Sequence, residues 1–277
     1  MDKIAIMING LPGNVTQIIT GHALEDDRFK VIPYSLTGPD INSSHCQVKD
    51  TAIELIRPEN RNSAIESVLS QFPDLIAVDY THPSAVVENA SFYTAFNIPF
   101  VMGTTGGDRQ TLEQIAESGQ RPAVIAPNMA KQIVGFQAMM AYGAETFPNL
   151  FKGYSLTVKE SHQKGKADTS GTAKAMVTYF QKMGLDFNVD NIEMERDPDV
   201  QRKAWQIPEN HLAGHGWHTY TLSAPDGSAL FEFKHNINGR DIYAAGTFDA
   251  VVFLKNKLSS PEPGSKVYSM IDVMTGG

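Results

Sequence analysis

The sequence predicts an α/β protein: an N-terminal doubly wound parallel sheet joined to a C-terminal α+β domain. Three observations lead there. Short apolar runs alternate with helical stretches through the first half, a glycine-bearing turn follows the first run, and beyond about residue 131 the alternation gives way to long helices and paired strands. Strands alternating with helices imply parallel strands joined by crossovers. The 277 residues supply material for two modest domains, expected at 1–130 together with 241–277 and at 131–240.

The first run, KIAIMIN, leads into NGLPGNVTQ. Gly10 and Gly13 are spaced as in a Rossmann-type turn that delivers a pyrophosphate to a helix N-terminus. Gly10 permits the tight turn and Gly13 lets a phosphate approach the backbone, with Pro12, Asn14 and Val15 completing the candidate segment. An ordinary strand–helix turn with two glycines is the competing reading. Thr16 stands where close helix–strand packing usually asks for a third glycine, and its side chain is expected to push the helix from the strand.

The next run, FKVIPYSL, ends without an Asp or Glu to hold a ribose 2′-hydroxyl. Ser35 and Thr37 are candidates to donate to a 2′-phosphate, so NADPH fits and NADH remains possible; no arginine lies nearby in sequence to fix the preference. LIAVDYT and PFVMGTT open into the polar loops DYTHPSAV and GTTGGDR. Tyr80, Thr81, Gly103, Thr104 and Thr105 are therefore further cofactor candidates, with simple turn chemistry as the alternative. A shared crevice is expected at the C-terminal ends of these strands.

In the second half, KQIVGFQAMMAYGAETF reads as a helix, YSLTVKESH as a strand and GTAKAMVTYFQKMG as a helix. HGWHTYTLSAP and SALFEFKHNI alternate like antiparallel strands about PDGS, a hairpin signal. RDIYAAGTFDAVVFLKNKL reads as a strand and then a helix that returns to the first domain. A sheet with one apolar face favours association, so a homo-oligomer, dimer or tetramer, is expected.

The net charge of −8 and pI near 5.5 argue against nucleic-acid and membrane-surface partners, both polyanionic. An anionic ligand must meet a local cationic patch. The single cysteine, Cys46, excludes an intramolecular disulfide, and the opening MDKIAIMING lacks a signal-peptide run. The expectation is a soluble protein of the cytoplasm, or of a plastid where a transit peptide has been removed.

ESHQKGKADTSGTAKAM places His162, Lys164, Lys166 and Asp168 within seven residues, ahead of Ser170, Gly171 and Thr172. His162 suits proton transfer. Lys166 with the N–H groups of Ser170, Gly171 and Thr172 at a helix start makes a candidate carboxylate clamp. A backbone-bonded strand-end histidine and a plain helix cap compete with these readings. Lys164 reads as a solvated charge and Asp168 as a loop-shaping partner of Lys166. His211, His215 and His218 in HLAGHGWH invite a metal, but Gly214 and Gly216 argue against a rigid helix, and no metal is expected.

Together, VDYTHPSAV, FVMGTTGG, APNMAKQ, ESHQKGKADTSGTAKAM, FKHNINGRDIYAAGT and MIDVM resemble the 4-hydroxy-tetrahydrodipicolinate (dihydrodipicolinate) reductase family, closest to its plant-type branch. The resemblance implies NADPH- or NADH-dependent reduction of a cyclic imine dicarboxylate on the diaminopimelate route to lysine. It assigns Gly103–Gly106 to the nicotinamide end and Ala126, Pro127 and Asn128 to a hinge. It assigns His162 to proton donation alongside Lys166, and Ser170, Gly171 and Thr172 to a substrate carboxylate, with Arg240 near the closed site. Gln163 stands where bacterial members carry a second histidine, keeping a polar substrate contact. A paralogue reducing a related cyclic imine, or a non-catalytic scaffold, are the alternatives.

Overall fold

Alternate residues of the central strands in the first half feed two different cores, and this builds a sheet covered on both faces. The computed structural model describes residues 2–260 and 266–276. It divides into two units, Met1–Val134 with Asp241–Gly277, and Gly135–Arg240. The first contains β1 (Ile4–Asn9), α1 (Asn14–Glu25), β2 (Phe29–Val31), β3 (Tyr34–Leu36), β4 (His45–Val48), β5 (Thr51–Ile56), α2 (Arg61–Gln71), β6 (Ile76–Asp79), α3 (Val86–Ala95), β7 (Phe100–Met102), α4 (Arg109–Ser118) and β8 (Ala123–Ile125). Helix α5 (Lys131–Thr146) carries the chain into the second unit, with β9 (Ser155–His162), α6 (Gly171–Lys182), β10 (Glu193–Glu195), α7 (Pro198–Lys203), β11 (His215–Ser223) and β12 (Leu230–Asn238). The chain returns with α8 (Ile242–Ser259), β13 (Val267–Tyr268) and α9 (Met270–Thr275).

In the first unit six strands pair in the order β13-β8-β7-β6-β1-β2, all parallel. Ile6, Ile8, Val78, Val101 and Val124 face α1 and α8, while Met7, Ala77, Phe100, Met102 and Ile125 face α2, α3 and α4. This two-residue alternation is the doubly wound arrangement expected from the sequence. The strand order reverses between β1 and β6, which puts the ligand crevice beyond their C-terminal ends.

Two readings change. Pro33 divides FKVIPYSL: β2 joins the parallel sheet, whereas β3 pairs with β5 in a separate three-stranded sheet completed by β4. The stretch opening at Ile242 is helix from the start, not strand then helix. It packs Ala244, Phe248, Val251 and Leu254 into the core and is so evenly apolar that its period is hidden.

The second unit holds a mixed sheet, β10-β9-β11-β12, with β9, β11 and β12 antiparallel and β10 parallel to β9. Leu156, Val158, Tyr220 and Leu222 pack beneath Ala173, Met176, Val177 and Phe180 of α6. The β11–β12 turn is closed by Asp226, whose Oδ1 accepts from Ser228 N and Oγ at 3.0 and 2.6 Å. No helix among the described residues is long and apolar enough to cross a membrane.

Candidate active site

Strand β1 ends in the glycine turn. Gly10 adopts φ +110°, and a Cβ there would lie 2.5 Å from the Tyr80 carbonyl oxygen, so only glycine fits. The Thr16 hydroxyl lies 2.8 Å from Gly13 O and 3.1 Å from Gly10 O. Thr16 therefore ties the turn to α1 instead of prising them apart, a correction to the sequence expectation. A cavity of about 720 Å³ opens here, with Gly10, Pro12, Gly13, Thr37, Tyr80 and Thr81 in its wall. The bare backbone of the turn, the start of α1 and a cavity of this size fit a dinucleotide.

The strand ends are held together by two buried side chains. Asn9 accepts from Leu36 N at 2.8 Å and donates to the Tyr93 hydroxyl at 2.9 Å. Asp79 is fully buried and accepts five hydrogen bonds: at Oδ1 from Thr81 N, Thr81 Oγ1 and Thr104 Oγ1, and at Oδ2 from Asn89 Nδ2 and the Tyr93 hydroxyl, all between 2.7 and 3.0 Å. Such saturation lets a carboxylate remain inside a fold. Burial and the Asp79 charge push the Tyr93 phenol up, which keeps it a donor. One carboxylate thus fixes the loops after β6 and β7.

The other cofactor candidates are placed as follows. Ser35 is fully buried, its hydroxyl between Leu11 N at 3.4 Å and Leu36 O at 3.2 Å; it braces the turn and does not face a ligand. Thr37 reaches the cavity, although its hydroxyl donates to Leu11 O at 2.7 Å. The Tyr80 ring lies against Gly103, and its hydroxyl is 2.5 Å from Thr247 Oγ1. Asn14 and Val15 open α1. Gly103, Thr104 and Thr105 follow β7, and Ala126, Pro127 and Asn128 follow β8, outside the wall of this cavity. Asn128 Oδ1 accepts from Ala130 N at 3.0 Å ahead of α5. The sequence reading missed Asp40 and Arg61, which both line the cavity. Arg61 enters from α2, at a spacing no motif announces.

In the second unit His162 ends β9. Its Nδ1 lies 3.1 Å from His215 O, a carbonyl that can only accept, so Nδ1 carries the proton. The neutral ring then offers Nε2 as an acceptor toward His218 Nε2 at 3.4 Å. Burial, then the Arg196 and Lys166 charges, lower the His162 pKa to about 4. His218 is buried and stacked on His235, with ring centres 4.6 Å apart. Both stay neutral: burial lowers His235 to about 4 and His218 well below its ordinary range.

The loop after His162 brings Lys166 Nζ to 3.3 Å from Asp168 Oδ1. Gln163 O closes this turn by accepting from Lys166 N at 3.0 Å. Ser170 N donates to Glu160 Oε2 at 3.0 Å, so that N–H is engaged within the fold and is removed from the expected clamp. Gly171 stays open, since a Cβ there would meet nothing within 4 Å, and Thr172 follows it in the first turn of α6. Arg240 packs against Gly214. Glu160, His162 and His218 each present a ligand atom within 4.8 Å of the others. The Glu160 oxygens already accept from Arg196 and Ser170 N, and a cation drawn there would compete with both. The sequence reading missed Glu160 and Arg196, and it weighed His218 only with His211 and His215, because strand pairing and not spacing brings these residues to His162.

Residues 4–129 match the family model of the dihydrodipicolinate reductase N-terminus, and residues 133–274 that of its C-terminus. The chain belongs to the dihydrodipicolinate reductase family. It is 43% identical over 274 residues to 4-hydroxy-tetrahydrodipicolinate reductase 1, chloroplastic, of Arabidopsis thaliana, covering 99% of this chain and 78% of the relative. Identity to 4-hydroxy-tetrahydrodipicolinate reductase of Aquifex aeolicus is 26%, covering 98% and 99%. Dipicolinate-bound dihydrodipicolinate reductase from Paenisporosarcina sp. TG-14 shares the fold, with TM-score 0.66 and 18% identity over 97% of this chain and 98% of that one.

Proposed function

We propose that this member of the family reduces 4-hydroxy-tetrahydrodipicolinate, or its dehydrated cyclic imine, to tetrahydrodipicolinate, with NADPH as the principal reductant. What carries the reading is His162, locked in one tautomer at the end of β9 beside the Lys166 loop and the open start of α6. NADPH supplies a hydride when bound. The glycine turn and the start of α1 hold its phosphates, and Asp79 keeps the neighbouring loops in place. Arg61 favours a 2′-phosphate at the same cavity, whereas Asp40 suits a free ribose diol.

Lys166 and the N–H groups of Gly171 and Thr172 bind one carboxylate, while Gln163 and Arg240 complete the substrate contacts. His162 moves the balancing proton through Nε2. The two ligands must meet for the reaction, a step we assign to the hinge at 126–131. Thr16 supports its turn and gives no reason to prefer a paralogue.

The test is a coupled assay with freshly generated substrate and either NADPH or NADH. His162→Ala and Lys166→Ala should each lose turnover by two orders of magnitude or more while cofactor still binds. No turnover by the folded wild-type protein, or full turnover by both variants, would end this reading.

A further inference from the structure

The loop carrying Lys166 is held by a side chain outside the motif. Arg196 follows β10, which runs parallel to β9 with Glu195 beside Ser161. Its Nε donates to Lys166 O at 2.8 Å, Nη1 to Glu195 O at 2.9 Å, and Nη2 to Glu160 Oε1 at 2.5 Å and Asp168 O at 3.5 Å. Glu160 is fully buried, and its second oxygen takes Ser170 N at 3.0 Å. The same segment reaches the other end of the loop, where the buried Gln201 donates from Nε2 to His162 O at 2.8 Å. The loop between β9 and α6 is therefore fixed at His162, Lys166, Asp168 and Ser170 by three side chains.

We propose that Arg196 and Glu160 are positioning residues for substrate: their ion pair sets the Lys166 loop against the start of α6 so that lysine and helix N–H groups meet one carboxylate together. The proposal rests on the function inferred above. A planar guanidinium can span Lys166 O, Asp168 O and Glu160 at once, whereas an ammonium is a point donor that cannot hold all three. Removing Arg196 would also leave Glu160 as a buried charge without its cation. The pair touches neither reacting atom, so it acts through where Lys166 stands.

Arg196→Lys and Arg196→Met separate charge from geometry, and Glu160→Gln probes the carboxylate side. Each variant is assayed in the full chain for substrate KM, kcat and NADPH Kd, and by hydrogen exchange at the Lys166 and Ser170 amides. The expected result is a substrate KM raised about tenfold in Arg196→Lys and further in Arg196→Met, with NADPH Kd unchanged and both amides exchanging faster. Glu160→Gln should speed exchange chiefly at Ser170. Native KM with native amide protection overturns the proposal, as does an NADPH Kd that rises in step with KM, since the change would then be global. If the wild-type chain reduces none of the substrate, the functional reading fails by itself, and the exchange measurements still decide whether this pair fixes the loop.

Discussion

Lowering the pH should destabilise the second unit well above the range in which carboxylates protonate, because its sheet buries a row of neutral histidines. His162 and His235 are each held to about 4, against 6.5 in the open chain. His218, stacked on His235 and edge-on to His162, is pushed in the same direction. The sign follows from which state takes the proton. Below pH 6.5 the unfolded chain binds protons that the folded sheet refuses, so stability falls from pH 6.5 toward 4 and levels off once the folded rings protonate. At pH 5 linkage assigns about 2 kcal/mol to each of His162 and His235; partial solvent contact of both rings halves this, leaving about 2 kcal/mol for the pair. Arg196 and Lys166 act with burial to keep His162 neutral.

Trp205 and Trp217 are the only tryptophans and both belong to the second unit, so their fluorescence reports it directly in urea titrations. The decisive variant is His235→Phe, which keeps a ring against His218 and Phe136 and removes one titrating base. It should flatten the dependence between pH 6 and 5 by about a third or less, since His162 and His218 remain. A wild-type stability that is level from pH 7 to 5, or a His235→Phe slope equal to wild type, would refute the reasoning.

Substitutions at three positions test the first unit, and one titration tests the second. Asp79→Asn sets an amide donor against five donors and should cost about 3 kcal/mol, seen as a lower melting temperature together with weaker NADPH binding; an unchanged melt contradicts the anchoring role. Thr16→Val keeps the side-chain shape and loses the hydroxyl bond, for about 1 kcal/mol of stability and a several-fold rise in NADPH Kd by titration. Thr16→Gly should bring no gain in affinity, and a gain would restore the view that this side chain wedges the helix away. Arg61→Ala should raise KM for NADPH about tenfold and leave NADH nearly unaffected, whereas equal changes would place Arg61 away from the 2′-phosphate. In NMR titrations of the free protein His162 should titrate near 4, and saturating pyridine-2,6-dicarboxylate should raise that midpoint by at least one unit; an unmoved midpoint argues against a carboxylate beside Lys166.

Periodicity made the first unit readable where β1, β6, β7 and β8 carry two cores at a spacing of two residues, but it did not reveal β4 and β5, which pair in the separate sheet and pack on a third cluster. It misplaced the start of α8, whose first half is so evenly apolar that no stripe marks it as helix. It failed again at Pro33, because a residue without an N–H ends one ladder while the apolar composition continues into the next. At the candidate site, spacing shows His162, Lys166 and Ser170, which are neighbours in sequence. Glu160 and His218 face each other only because β9 and β11 pair in one register, and Arg196 arrives through β10. Ser170 illustrates the limit from the other side: its place before a helix is visible in the sequence, but the carboxylate that engages its N–H is not.

On the proposed reading, the low proton affinity of His162 is a feature of the ligand-free site and not an argument against proton transfer. With Nδ1 committed to His215 O, the neutral ring has no proton to give through Nε2. It becomes a donor only as imidazolium, which burial and the Arg196 and Lys166 charges oppose. A dicarboxylate bound against Lys166 brings two negative charges to those same cations and so removes part of what holds the ring neutral. Glu160 cannot do this in advance, because one oxygen is paired with Arg196 and the other accepts Ser170 N. Substrate charge would therefore raise the histidine into its working range at the moment a proton is needed, and the ion pair that places Lys166 would set how strongly binding and protonation are coupled.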